Sequence, residues 1–107
     1  MPPAYRLTLK ALDDLDEIWD YIAGDSVDSA CRVESAIFEA CEGIARHPFL
    51  GSKRGEITSQ PVRFWVVSSF PNFIVVYRPA TKPLEVVAIL HSKRDIKRVL
   101  GERRSKD

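Results

Sequence analysis

The chain reads as an α+β fold: an N-terminal strand, a helical hairpin packed on a small antiparallel sheet, and a short C-terminal helix. Three observations predict it. Apolar residues recur at three- and four-residue steps through the first half. Three β-rich runs, about residues 62–68, 73–78 and 84–91, follow with only short turns between them. The last run ends in a polar, basic corner, His91-Ser92-Lys93-Arg94-Asp95.

Tyr5 to Leu9 alternates apolar and polar residues, the pattern of a short strand. Leu12, Leu15, Ile18, Trp19 and Ile22 form the apolar stripe of a first helix, with Asp13, Asp14, Asp16, Glu17 and Asp20 over the rest of its surface. Gly24 breaks that helix, and Asp25 or Ser26 can cap the next. Ala30, Val33, Ala36, Ile37, Ala40, Cys41 and Ile44 share one side of the second helix, which should stop before His47-Pro48. Leu15, Ile18, Ile22, Val33, Ile37 and Ile44 are expected to be buried against the sheet.

The links 69–72 and 79–83 are short enough only for antiparallel neighbours. Alternation splits the strands into Val62/Phe64/Val66, Phe73/Val75/Tyr77 and Leu84/Val86/Ala88/Leu90 against Arg63/Trp65/Val67, Ile74/Val76/Arg78 and Glu85/Val87/Ile89/His91. Both faces are therefore substantially apolar, and the hairpin can cover only one. The other is expected to present an open apolar patch to a protein partner, with Trp65, Val76, Val87 and Ile89 as candidate contacts. Ser92 to Asp95 fits a capping box opening a final helix over about 93–100. Lys93 and Arg94 would then oppose the helix dipole, a locally unfavourable choice that hints at function.

At 107 residues the chain is one domain, spanning 1–107. It has no apolar run of membrane-spanning length and no signal-peptide layout at its start, which points to the cytoplasm. The net charge of +1 hides an asymmetry: residues 10–42 carry ten acids and two bases, while from Lys93 onward seven bases face three acids. Such halves suggest charged partners, or simply solvated faces. Cys31 and Cys41, ten residues apart on one helix, lie about 15 Å from each other and cannot pair. No Cys/His spacing resembles a zinc site, no phosphate loop appears in Gly51 to Gly55, and no nucleophile triad is visible, so neither metal nor cofactor is expected.

His91 beside Lys93 and Arg94 is a candidate for acid–base work on a phosphodiester, or a strand-end histidine bonded to backbone. Arg63 and Arg78 are further candidates, or cross-strand partners of Glu85. Glu85 lies about 20 Å along the strand from His91, so one site using all of these groups is awkward.

Leu9 to Ile22, the bend His47-Pro48-Phe49-Leu50-Gly51, Phe73 to Arg78 and Val86 to Asp95, in this order and spacing, resemble the RelE/ParE toxin superfamily, and within it the ParE branch. The resemblance covers nearly the whole chain. It implies a toxin of a type II toxin–antitoxin pair, neutralised by a ParD-like antitoxin whose C-terminal segment wraps it, and acting by inhibition of DNA gyrase. On that reading Lys93, Arg94, Lys97 and Arg98 would contact the target, and Arg94 and Arg98 would also meet the antitoxin. The alternatives are the RelE-like ribosome-dependent messenger-RNA endonucleases, with His91, Arg94, Arg63 and Arg78 as candidate catalytic groups, or an inactive interaction module of the same fold. Those nucleases carry a basic residue where Asn72-Phe73-Ile74 stands here, and several finish close to the last strand, whereas this chain continues to Asp107. Both departures favour the ParE branch.

Overall fold

The computed structural model describes residues 3–103. The end of the basic tail, residues 104–107, lies outside them. The elements run β1 (Tyr5–Leu7), α1 (Leu9–Ala23), α2 (Val27–Arg46), β2 (Arg63–Val66), β3 (Phe73–Arg78), β4 (Leu84–His91) and α3 (Ile96–Glu102). The sheet order is β1-β4-β3-β2. β2, β3 and β4 are antiparallel neighbours, and β1 joins the edge of β4 in parallel, reached through the helical hairpin.

The first strand is two residues shorter than its alternation predicts, because Thr8 leaves it to cap α1, its hydroxyl accepting from Ala11 N–H at 3.1 Å. Ser26 caps α2 in the same way through Ser29 N–H, at 3.1 Å. α2 ends on His47, as Pro48 requires.

The register assigns the two faces. Trp65, Val67, Phe73, Val75, Tyr77, Leu84, Val86 and Ile89 pack with Leu15, Val33, Ile37, Cys41 and Ile44 under the hairpin. Val62, Phe64, Val76, Val87, Ala88 and Leu90 pack with Val99 and Leu100 of α3, flanked by Ile57. Simple alternation fails in β4: Tyr77 pairs with Val86 but Val76 with Ala88, so Val87 is an extra residue. That bulge moves Ile89 under the hairpin and Ala88 and Leu90 to the opposite face.

Of the six side chains expected under the hairpin, Leu15, Val33, Ile37 and Ile44 are buried and Ile18 and Ile22 are half-buried. The stripe of α1 is rotated from the one predicted: Ala11 is buried and Leu12 is 43% exposed. α3 also starts later than predicted. Asp95, not Ser92, is its N-cap, accepting from Arg98 N–H at 3.2 Å. Lys93 and Arg94 therefore sit in the preceding turn, outside the first helical turn where they would oppose the dipole.

Tyr77 ties the 48–51 bend to the sheet. Its hydroxyl accepts from Gly51 N–H at 2.9 Å and donates to Pro48 O at 2.7 Å. Burial raises its pKa above the usual 10.0, against the pull of the Gly51 bond and Arg63, so it remains a donor at neutral pH. A Cβ on Gly51 would lie 2.6 Å from that hydroxyl and 2.9 Å from Phe64 O. Gly51→Ala should accordingly cost about 1–3 kcal/mol by overpacking. Chemical denaturation of the two proteins checks this, and an unchanged midpoint would count against the packing described.

Cys31 is exposed and Cys41 buried, both on α2. Burial, with Glu42 adding, pushes the Cys41 thiol from 9.0 up to about 12. A raised acid pKa means that the fold holds the proton more tightly than the unfolded chain does. The stability from this group is complete below about pH 9 and is lost as pH rises toward about 12. Native protein at pH 8 should thus titrate one rapidly reacting thiol with a disulfide reagent and two in denaturant. Two fast thiols in the native state would contradict the burial.

Candidate functional site

The outer edge of β4 is where the two halves of the molecule meet. β1 pairs only with residues 84–86, so the backbone from Val87 onward has no strand partner on that side. An open edge is a pairing liability that proteins cover. Here side chains cover it. Asp14 of α1 accepts from Ile89 N–H at 2.9 Å, and Arg103, just beyond α3, donates to Val87 O at 3.4 Å. The two side chains also form a two-pronged ion pair, Arg103 Nη2 lying 2.7 Å from Asp14 Oδ1 and Nη1 bonding Oδ2. Asp14 was expected on the solvent face of α1, yet its side chain is 4% exposed.

Past this clasp, a cleft of about 600 Å³ opens between α1 and the end of the β3–β4 ladder. Asp14, Glu17, Ile18, Tyr21 and Ile22 form one wall, and Asn72, Phe73, Ile89, His91, Lys93 and Arg94 the other. Tyr21 is 87% exposed on its rim, unusual for so large an aromatic residue. The His91 ring meets Phe73 edge-on, with centroids 5.4 Å apart and planes at 85°. His91 Nδ1 accepts from Lys93 N–H at 3.1 Å, so the neutral ring carries its proton on Nε2. The same turn is closed by Arg94 N–H on His91 O, at 2.9 Å, and by Ser92 N–H on Asn72 O, at 2.7 Å. Short-range backbone bonds thus hold His91, Lys93 and Arg94 at one mouth, opposite an acidic and aromatic helix.

The other candidate residues are not brought here. Arg78 faces Glu85 across the ladder, at the end opposite the Phe73–His91 pair, and is ion-paired with it. Arg63 stands opposite Tyr77 and is turned into the 49–51 bend, donating to Gly51 O at 2.7 Å with its guanidinium 5.0 Å above the Phe49 ring. Arg63 is therefore not a partner of Glu85; Arg6 is, and the carboxylate is shared by Arg6 and Arg78. Lys97 lies on α3 and lines a different groove, shared with Arg78, and Arg98 is exposed on the same helix. Phosphodiester cleavage needs a base, an acid and cations around one phosphate. Only His91, Lys93 and Arg94 of the candidates converge.

The expected open apolar face is corrected by this geometry. Val76 and Val87 are fully buried under α3 and its flanking loop, and Ile89 is 1% exposed under the hairpin. A seven-residue helix suffices because the chain at 57–64 packs beside it. Trp65 alone of that set remains half-open, in a 240 Å³ groove between α2 and the edge strand β2. The small residues Ala36, Ala40 and Gly43 form one side of this groove, and Leu50, Trp65 and Val67 line it as well. Phe49 (67% exposed), Leu50 (52%) and Val66 (47%) add exposed apolar surface at or next to residues of this groove. Among the described residues no cluster of His, Cys, Asp or Glu could hold a metal ion, and no helix is long and apolar enough to cross a membrane.

Residues 5–96 match the family profile described as the ParE toxin of type II toxin-antitoxin system, parDE. The chain is 36% identical, over 89% of its own length and 94% of the relative's, to the curated protein "Putative toxin Y4kP" of Sinorhizobium fredii. Its fold is similar to that of a chain from the chromosomal ParDE TA system of P. aeruginosa, with TM-score 0.67 and 23% identity over 81% of this chain and 92% of that one. By the profile match and the curated relative, the chain belongs to the ParE toxin family of type II toxin–antitoxin systems.

Proposed function

We propose that the protein is the toxin of a two-protein module, that it is held inactive by a ParD-like antitoxin, and that its target is DNA gyrase. Family membership carries the toxin reading, and the cleft supplies a surface for the target. Lys93 and Arg94 sit on a turn whose backbone is fixed by hydrogen bonds beside His91, so little backbone entropy remains to be lost when these two cations meet a partner. The action is inhibitory rather than catalytic, supported by the dispersal of Arg63, Arg78 and His91 to three separate places. Arg98 is assigned to partner contact from α3.

The antitoxin's apolar segment is assigned to the groove beside β2, where Trp65 and Leu50 line the walls, instead of to the buried Val76, Val87 and Ile89. The apolar contacts would supply most of the affinity, and charges such as Arg94 and Arg98 would speed and orient docking. Trp65→Ala should then weaken antitoxin binding by about 2 kcal/mol or more, as a centrally buried aromatic anchor does.

Induced expression of this chain alone in a bacterium tests the reading. Growth arrest with induction of the DNA-damage response, relieved by co-expressed antitoxin, is the expected result. Arrest with transcript cleavage would replace gyrase with a nuclease function, and unimpaired growth would remove the toxin reading.

A further inference from the structure

A second basic site lies on the other face of the sheet, at the opposite end of the β3–β4 ladder. Glu85 is 8% exposed, and its carboxylate is shared: Arg78 Nη1 donates to one oxygen and Arg6 Nη2 to the other. One negative charge therefore faces two guanidinium groups. Arg78 has 11% of its side chain exposed, and its Nη2 is buried without a hydrogen-bond partner. That N–H is closed to solvent, so a ligand in a neighbouring groove would meet Arg78 through its charge and not through this donor.

Arg78 forms part of the wall of a groove of about 440 Å³, together with Ile57, Thr58, Ser59, Gln60, Pro61, Lys97 and Gly101. Lys97 brings a third cation to this region, leaving a surplus of two positive charges over Glu85. Thr58 Oγ1 already accepts from Gln60 N–H at 3.1 Å, which leaves its proton free to be donated. Gln60 Nε2 donates to Leu100 O at 2.7 Å and pins this loop to α3, so the groove's two sides are held in register. Gly101 contributes no side chain, and a Cβ there would meet nothing within 4 Å.

We propose that this groove binds a phosphate group, with Arg78 and Lys97 as its cations and the Thr58 and Ser59 hydroxyls as further donors. A guanidinium flanked by an ammonium and hydroxyl donors matches the several acceptor oxygens of a phosphate. The ion would balance the positive charge that Glu85 leaves uncompensated. The site is separate from the cleft that holds His91, Lys93 and Arg94, and does not depend on the identity of the toxin's target.

The test is a titration of the purified, isotope-labelled protein with inorganic phosphate at constant ionic strength, followed by NMR. Saturable shifts confined to residues 57–61, Arg78, Lys97 and Gly101 are expected. Lys97→Gln, an exposed position, should weaken binding about tenfold through loss of one charge-assisted contact. Gly101→Glu places a carboxylate at the groove without touching the core and should abolish the shifts while the thermal midpoint stays within error or rises. A short single-stranded oligonucleotide that competes for the same resonances identifies the bound group as a phosphodiester; failure to compete identifies it as free phosphate. Shifts that never saturate, that centre on Lys93 and Arg94, or that persist in the folded Gly101→Glu protein would overturn the proposal.

Discussion

Asp14→Ala is expected to be the most damaging substitution among the five acids of α1, costing about 3–5 kcal/mol. The reason is the number of bonds it removes together. Arg103, with 11% of its side chain exposed, would lose its two bonds to the Asp14 carboxylate, and Ile89 N–H would lose its acceptor on a strand edge. Against a domain stability of about 5–15 kcal/mol, a loss of that size threatens the fold. Asp13→Ala and Asp16→Ala, at exposed positions flanking it, should change stability by no more than about 0.5 kcal/mol. Urea denaturation of the three variants supplies the comparison. The double replacement Asp14→Leu with Arg103→Met should recover much of the loss, because a buried pair contributes little net stability once its desolvation is counted. Equal midpoints for Asp14→Ala and Asp13→Ala would remove the clasp from this account.

That clasp marks the limit of what the sequence discloses. The helices and strands were legible because their apolar periodicities differ, and Ser26 and Pro48 punctuate them visibly. Asp14 was not legible. It stands among four other acids on the same helix, and the partners that bury it are 75 and 89 residues away. The closed state of the second sheet face was hidden for a related reason. Whether α3 covers Val76 and Val87 depends on the bulge at Val87 and on the chain at 57–64 packing beside a short helix. Neither leaves a periodic trace. The cleft was half-legible: His91, Lys93 and Arg94 fall within four residues of one another in sequence, whereas Glu17 and Tyr21 join them only through the placement of α1 on β4. Tyr21 did carry a signal, a large aromatic residue outside the apolar stripe of its own helix.

The basic turn at the cleft can be tested without disturbing the core, and removal of the C-terminal region cannot serve that purpose. Deleting residues from Lys93 onward takes away Val99 and Leu100, both buried, and Arg103, half of the clasp, uncovering Val76, Val87 and Leu90. Loss of toxicity in that truncation would report unfolding. Lys93 and Arg94 are instead exposed, and the turn that holds them is built from backbone N–H groups and the His91 ring. The double substitution Lys93→Glu with Arg94→Glu should therefore leave the thermal midpoint within a few degrees of the parent. Reversing two charges at a complementary contact should weaken target binding on the order of 100-fold or more, because attraction is replaced by repulsion and both carboxylates would be desolvated unpaired. Cells expressing the folded variant at parental levels are expected to keep growing where the parent arrests them. The reversal Arg32→Glu on the exposed surface of α2 should leave the arrest intact, separating a local contact from a general effect of net charge. Undiminished arrest by the folded double variant would move the target surface away from this cleft.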